Sequence, residues 1–249
     1  MKMTRLPIIC SLALALATPS FAAVTLIDTG FAFTGDDQSS YTFSSGDLGN
    51  LDFTGASKLV FTVGNRRLDD VDGTNDITSI TYGGQTLNLA ATDGTAAIRS
   101  SIYYLDLDGV SFTGSDLTVS FGDVQTGIGV SALVLGNTVA GFGDTAVSSS
   151  SDISLTSDTD GSFAAFSFAR NNNPGGDEIG VTRIYSANPG VGLRSYYSTD
   201  PLDEGSHDFT MTQMNGTGRL VGAVFAPVPE PTTALLGSLG MLFLLRRRR

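Results

Sequence analysis

An aspartate-rich segment at residues 68–76 holds the side chains best suited to metal chemistry. The candidate ligands for Ca²⁺ in this segment are Asp70, Asp72, Asn75 and Asp76. Ca²⁺ takes about six to eight oxygen ligands in flexible geometry, which closely spaced carboxylates and amides around a glycine turn supply. The spacing does not fit an EF-hand, because aligning Gly73 with the loop glycine puts a leucine and a serine at the first and last ligand positions. The alternative is a solvated turn in which Arg66 and Arg67 neutralise the acids.

Shorter aspartate turns at residues 106–109 and 158–161 offer weaker versions of the same calcium site.

Glycoside hydrolysis requires two carboxylates about 5 to 10 Å apart. The many acidic residues allow such a pair, yet no spacing singles one out. A secreted hydrolase is therefore an alternative function without assigned residues.

Nucleophilic catalysis by a Ser/His/Asp triad would depend on His207, the only histidine. His207 begins a predicted strand, and the chain contains no Gly-x-Ser-x-Gly elbow. The single cysteine, Cys10, lies in the N-terminal segment, so the rest of the chain has neither a thiol nucleophile nor a thiolate zinc site. We therefore predict no catalytic residue and no enzymatic activity.

Sugar binding usually uses a flat aromatic face, and the chain has no tryptophan. The tyrosine doublets Tyr103-Tyr104 and Tyr196-Tyr197 are the candidate platforms. Neighbouring side chains of a strand point to opposite faces, so one tyrosine of each pair is expected in the core. No ligand-binding residue is assigned.

Short runs of Val, Ile, Phe, Tyr and Thr, separated by Gly, Ser, Asn and Asp, predict an all-β domain without helices. Ser148–Asp160 is predicted as an internal loop or seam, and one continuous sandwich is favoured over two subdomains. The predicted strands are 24–28, 41–44, 58–63, 77–82, 98–107, 117–121, 128–135, 162–169, 181–186, 191–197, 207–214 and 219–225.

The net charge of residues 23–226 argues against anionic partners. This segment holds 24 of the 25 acidic residues and eight of the 14 basic residues, so its net charge is −16. Such a domain repels nucleic acid and anionic membrane surfaces. The acids are nearly all Asp, which favours turns over helices.

The N-terminal segment, residues 1–22, has the three parts of an export signal. Lys2 and Arg5 form a basic start, an apolar Leu/Ala-rich run follows, and small residues precede the expected cleavage after Ala22. This segment predicts a signal-peptide helix, passage through the secretion translocon and removal by signal peptidase. A lipoprotein signal is rejected, because bulky Ile9 precedes Cys10.

The C-terminal segment, residues 227–249, has three different parts. The motif Pro229, Glu230 and Pro231 forms a stiff, extended linker, since proline cannot continue a helix or a central strand. The 14 apolar residues that follow span roughly 21 Å as a helix, which is short against a membrane core of about 30 Å. The chain ends in four arginines, Arg246, Arg247, Arg248 and Arg249.

This C-terminal order resembles the sorting signal of PEP-CTERM proteins, the substrates of exosortases in Gram-negative bacteria. The resemblance implies transient anchoring in the inner membrane and recognition of the Pro-Glu-Pro motif by an exosortase-type membrane protease. The helix and basic tail would then be removed, and the protein would reach the cell surface, the medium or the polysaccharide matrix. A permanent single-pass anchor is the alternative.

A second resemblance covers roughly residues 75–135. The stretch Ile77–Leu87, with Tyr103-Tyr104 and the run 131–135, is similar to β-sandwich modules of bacterial surface proteins that carry an "ITSVTYGG" hairpin. The Gly83-Gly84 step suits a tight turn. This resemblance implies a fold and a location, and it assigns no catalytic residue.

Together these patterns predict a jelly-roll-like antiparallel β-sandwich at residues 23–226, flanked by the signal-peptide helix and an apolar C-terminal helix. The expected role is structural or adhesive, at the cell surface or in the extracellular matrix, with extracellular polysaccharide as a candidate partner. The alternative is a calcium-assisted carbohydrate-binding module.

Overall fold

The computed structural model describes residues 21–67, 76–95, 97–170, 178–187, 192–211 and 218–230, with backbone alone for 185–187 and 192. These residues form sixteen strands and no helix, and every strand pairing is antiparallel. The all-β antiparallel prediction is therefore confirmed. The strands are β1 (Thr25–Thr34), β2 (Gln38–Phe43), β3 (Lys58–Arg66), β4 (Ile77–Tyr82), β5 (Gln85–Thr86), β6 (Asn88–Gly94), β7 (Ile98–Asp106), β8 (Leu117–Gln125), β9 (Gly127–Gly136), β10 (Thr145–Ser148), β11 (Asp152–Ser157), β12 (Phe163–Arg170), β13 (Val181–Ala187), β14 (Gly192–Ser198), β15 (Gly205–Thr210) and β16 (Gly218–Phe225).

The described strands form four sheets. The first inner sheet has the order β1-β9-β3-β7-β6, and the first outer sheet has the order β2-β8-β4-β5. The second inner sheet has the order β10-β16-β12-β14-β13, and the second outer sheet pairs β11 with β15. The N-terminal half of the chain thus supplies one inner and one outer sheet, and the C-terminal half supplies the other two.

Burial along the strands shows how the sheets stack. Every residue of β9 and of β12 is buried, as expected for strands covered on both faces. In contrast, β11 alternates strictly between exposed and buried residues, as expected for a sheet with one face in water. The inner sheets therefore lie in the middle of the stack, and the outer sheets face solvent.

Apolar cores fill the three spaces between the four layers, and the space between the inner sheets also holds a smaller cluster of Ile98, Ala169 and Leu193. Phe61 and Leu117 belong to the core between the first inner and first outer sheets. Val60, Leu133 and Phe225 belong to the core between the two inner sheets. The third core, between the second inner and second outer sheets, includes Phe166, Leu155 and Phe209. The result is two β-sandwiches stacked on each other through their inner sheets within one compact unit, where the sequence favoured one continuous sandwich.

Polar groups also connect the two inner sheets. The hydroxyls of Thr62 on β3 and Ser195 on β14 lie 2.6 Å apart, and both side chains are buried. The Ser167 hydroxyl on β12 donates to the carbonyl oxygen of Val63, at 3.1 Å. These bonds satisfy polar atoms that would otherwise be costly to bury between the sheets.

The prediction of a loop at Ser148–Asp160 was wrong for Asp152–Ser157, which form β11. A solvent-facing strand needs only alternate apolar residues, and Ile153 and Leu155 supply them. The connection between the two halves lies earlier, at residues 137–144, between β9 and β10.

The predicted hairpin between β4 and β5 is present. Gly83 and Gly84 both have positive φ, 54° and 81°, as a two-residue turn of the primed type requires. A Cβ atom on Gly83 would also lie 2.7 Å from the carbonyl oxygen of Gly114. Glycine is therefore required at this turn by conformation and by space.

Residues Phe21–Val228 form one compact unit. Pro229 and Glu230 follow this unit, and both are exposed. The predicted signal-peptide helix, the apolar C-terminal helix, Pro231 and Arg246–Arg249 lie outside the described residues. Within the described part of the chain, no helix has the length and apolar character needed to cross a membrane.

Candidate functional site

A cavity of about 460 Å³ opens at the end of the first inner sheet where β3 begins and β7 ends. Its lining residues are Ala56, Ser57, Asp106, Leu107, Asp108, Gly109, Thr138 and Ala140. Asp106 is the last residue of β7, and its side chain is about one third exposed (32%). The carboxylate therefore lies where the cavity meets the protein interior.

Lys58 is fully buried beside this cavity. It is the first residue of β3 and lies directly opposite Asp106 on β7. Its side chain belongs to the face of β3 that meets the second inner sheet, where the ammonium lies 4.9 Å from the ring centre of Tyr104 and 5.8 Å from that of Phe225. The rings and strands leave the Lys58 side chain no accessible surface.

The buried charge is compensated by hydrogen bonds. Lys58 Nζ donates to Asp106 Oδ1 and to the carbonyl oxygen of Gly141, the latter at 2.7 Å. The Gly141 N–H donates to Asp106 Oδ2 at 3.0 Å. Gly141 adopts a φ of 80°, so a single glycine in the left-handed region contacts both members of the ion pair.

Burial lowers the pKa of Lys58 from its ordinary value, and the hydrogen bond and charge of Asp106 oppose that shift. Desolvation outweighs the ion pair because an ammonium loses its hydration when it is buried among strands and aromatic rings. A lysine with a lowered pKa is a nucleophile in many enzymes. Here the Nζ atom is inaccessible to an external substrate, so its available partner is Asp106.

The candidate calcium ligands are described only in part. Asp70, Asp72 and Asn75 lie outside the described residues. The carboxylate of Asp76 forms an ion pair with Arg99, with 2.6 Å between Oδ1 and Nη2. Within the residues that the structure describes, no group of three or more His, Cys, Asp or Glu side chains is arranged to hold a metal ion. Calcium binding therefore stays a prediction.

Seven of the eight basic residues of residues 23–226 are arginines, and they gather toward the end of the inner sheets opposite Lys58. They are Arg66, Arg67, Arg99, Arg170, Arg183, Arg194 and Arg219. Their ion pairs include Arg67–Asp123, Arg99–Asp76, Arg183–Glu178, Arg194–Glu178 and Arg219–Asp93. Because carboxylates pair with at least five of these seven guanidinium groups, this arginine end is better suited to holding strands together than to binding an external anion.

The residues weighed for catalysis and sugar binding have ordinary contacts. His207 Nε2 lies 2.8 Å from the carbonyl oxygen of Asp203, within the same segment. Tyr103 and Tyr196 are buried, as predicted for one member of each doublet. Tyr104 and Tyr197 are partly buried against the core between the inner sheets, so neither doublet forms an exposed platform.

An apolar hollow that the sequence did not indicate lies on the first sandwich. It has a volume of about 260 Å³ and includes Phe31 and Phe33 of the edge strand β1, which are about half exposed. Ala32, Phe43 and Asp47 complete its wall. The hollow is shallow, and its apolar surface alone does not specify a ligand.

The sequence analysis did not identify Lys58 as a site residue. Asp106 was noticed only as part of a weak aspartate turn. One signal was present: Lys58 is the only lysine of residues 23–226 and begins a strongly apolar strand. Comparison with known proteins adds no assignment, since no protein-family model and no curated protein matches the chain.

Proposed function

We propose that this protein is an exported component of the cell surface or extracellular matrix with a structural or adhesive role and no enzymatic activity. In this proposal the translocon and signal peptidase act on the N-terminal segment. An exosortase-type membrane protease acts on the C-terminal segment after transient anchoring. The β domain then remains at the cell surface, in the medium or in the polysaccharide matrix.

The observation that best supports a structural role is the buried apolar contact between the two inner sheets. Val60, Leu133 and Phe225 have no accessible surface there. Buried apolar contact of this kind resists the sliding and opening that a cleft between two lobes would allow. A rigid block suits a protein that carries load or spaces other molecules.

The order of strands supports a jelly-roll type for the first sandwich. Strands β1 to β4 alternate between the inner and outer sheets, and the last strands, β9 and β8, return to lie beside β1 and β2. Such wrapping of paired strands into two sheets is typical of jelly rolls, which occur in capsid and lectin domains. This likeness of topology transfers no ligand.

Exposure of the linker supports its recognition by a protease. Val228, Pro229 and Glu230 are exposed, directly after the last buried residues of the domain. A protease needs an accessible, extended backbone, which proline favours.

Intact mass spectrometry of protein from the culture medium and the cell envelope tests this sorting. We expect a chain that begins at Ala23 and lacks Arg246–Arg249. The variant Glu230→Ala is expected to retain the tail, whereas Glu204→Ala, a change at another exposed glutamate, is expected to be processed normally. A mature surface form that still carries the four arginines would contradict the sorting proposal.

Thermal unfolding tests the structural role against the calcium-assisted alternative. For a structural protein we expect the same melting temperature in Ca²⁺, in Mg²⁺ and in a chelator. A rise in melting temperature with Ca²⁺ alone, together with calcium-dependent retention on a polysaccharide array, would favour the carbohydrate-binding module instead.

A further inference from the structure

We propose that Lys58 and Asp106 join covalently, through an amide bond between Lys58 Nζ and Asp106 Cγ that forms within the folded chain. The bond would cross-link β3 to β7 inside the first inner sheet. It is a modification site, and the inference holds whether or not the proposed function is correct.

The fold holds the two groups in contact. Lys58 and Asp106 are direct cross-strand partners, and Nζ contacts the carboxylate. A second hydrogen bond, from Nζ to the Gly141 carbonyl, restrains the amine further. Fixing two reactants in one orientation replaces a collision in water with an effective concentration of about 10⁵ M or more.

Burial of Lys58 favours the neutral amine that the reaction needs. An amine attacks a carboxylic acid only when the amine has lost its proton and the acid carries one. Complete burial of Lys58 disfavours the ammonium, and burial lowers its pKa despite the nearby carboxylate. Transfer of one proton from Nζ to Asp106 Oδ1 converts the ion pair into an amine and an acid, without any added reagent.

Gly141 supplies electrostatic help at the other carboxylate oxygen. Its N–H donates to Asp106 Oδ2, the oxygen on which negative charge develops when Cγ becomes tetrahedral. A fixed backbone donor at such an oxygen stabilises the transition state. Gly141 is thus a positioning residue that acts through its backbone.

The step balances without oxidation or reduction. The Nζ lone pair forms the N–Cγ bond, and the electrons of the C=O bond move to Oδ2. A second proton passes from Nζ to Oδ1, the Cγ–Oδ1 bond breaks, and Oδ1 leaves as water while Oδ2 becomes the amide oxygen. The one-third exposure of Asp106 toward the cavity gives this water an exit.

Peptide mapping of the denatured, purified chain tests the bond. Trypsin does not cleave after an acylated lysine, so the fragment containing Lys58 should stay attached to the fragment containing Asp106. The joined fragments should weigh one water less than their sum. Cleavage after Lys58, with both fragments at their full sequence masses, would overturn the proposal and leave a buried ion pair.

Variants separate the amide from other causes of a mass change. Asp106→Asn should lose ammonia instead of water and give a product of the same mass as the wild-type product. Asp106→Ala should give two separate fragments. Asp108→Asn, a change in the same turn that leaves the reacting pair intact, should keep the cross-link. A cross-linked Asp106→Ala chain would overturn the assignment of the bond to Asp106.

Refolding of the wild-type chain covers the case in which the variants fail to fold. A chain that is recovered before it has ever folded should have its full mass. It should lose one water only after transfer to folding conditions. A refolded, soluble chain that keeps its full mass would overturn the proposal.

Discussion

At the scale of single residues, Tyr103 shows how burial changes the chemistry of an ordinary side chain. It is 8% exposed in the core between the first inner and first outer sheets. Desolvation raises its pKa to about 12, and the charge of Arg99 opposes the shift only in part. An exposed tyrosine titrates near pH 10. Tyr103 should therefore remain neutral at pH values where exposed tyrosines are phenolates.

This shift predicts how stability changes at high pH. Below about pH 10 the phenol is protonated in both states, so it contributes no pH dependence. Between about pH 10 and 12 the unfolded chain releases the proton while the folded chain keeps it, so stability falls as pH rises. Across this range the free energy of unfolding of the wild type should fall by on the order of 2 kcal/mol more than that of Tyr103→Phe. Denaturant unfolding at each pH measures this difference. Equal losses for the two chains would contradict the assignment.

Residue-scale prediction from sequence had a clear limit at Lys58. The alternation of Leu59, Phe61 and Val63 with Lys58, Val60 and Thr62 along β3 separates the two faces of the strand. It could not show that a second sheet covers the face carrying Lys58, because that sheet comes from residues more than 80 positions later. Burial of the second face depends on contacts distant in sequence.

At the scale of elements, the Thr62–Ser195 hydrogen bond tests how the inner sheets are joined. Thr62→Val should destabilise the protein by about 1 to 3 kcal/mol, because the buried Ser195 hydroxyl loses its partner. The double variant Thr62→Val/Ser195→Ala should recover part of this loss. A double-mutant cycle of unfolding free energies measures the coupling, expected to be about 1 kcal/mol.

The matched control for this cycle is the Thr42–Thr118 pair, whose hydroxyls lie 3.2 Å apart on the exposed face of the first outer sheet. Thr42→Val should change stability by less than about 0.5 kcal/mol. A coupling energy near zero for the buried pair would mean that this bond does not join the inner sheets.

The elements themselves were largely predictable from the sequence. Each of the twelve predicted strands overlaps an observed strand, and β4 has the predicted bounds. Residue 191 and residues 212–214 of two predicted strands lie outside the described residues. The four other strands, β5, β6, β10 and β11, were not among the twelve, although the turn before β5 was predicted. They are short or polar and lie at sheet edges or on an outer layer. Such strands depend on pairing partners more than on their own apolar residues, so local sequence identifies them poorly.

At the scale of the whole molecule, the four-layer stack predicts one cooperative unfolding unit for residues Phe21–Val228. Leu133, on β9, has no accessible surface and faces the second inner sheet. Leu133→Ala should lower the free energy of unfolding by about 2 to 5 kcal/mol. Hydrogen exchange should speed up by a similar factor at the slowest amides of β3 and of β12, although β12 belongs to the other sandwich.

Leu89→Ala is the control for this experiment, since Leu89 is about half exposed on β6. It should leave the slowest amides of both sandwiches nearly unchanged. Faster exchange confined to the first sandwich in Leu133→Ala would show that the two sandwiches unfold independently.

The burial of Lys58 also determines how this protein responds to labelling reagents. Residues 23–226 contain no other lysine, so the folded segment offers no lysine amine to an acylating dye or an aldehyde. Lysine labelling within this segment would then report opening of the inner sheets and nothing else. If the amide has formed, Lys58 stays unlabelled even in denaturant. If only the ion pair is present, denaturant exposes the amine and Lys58 is labelled. Amine labelling in denaturant therefore distinguishes the covalent bond from the ion pair.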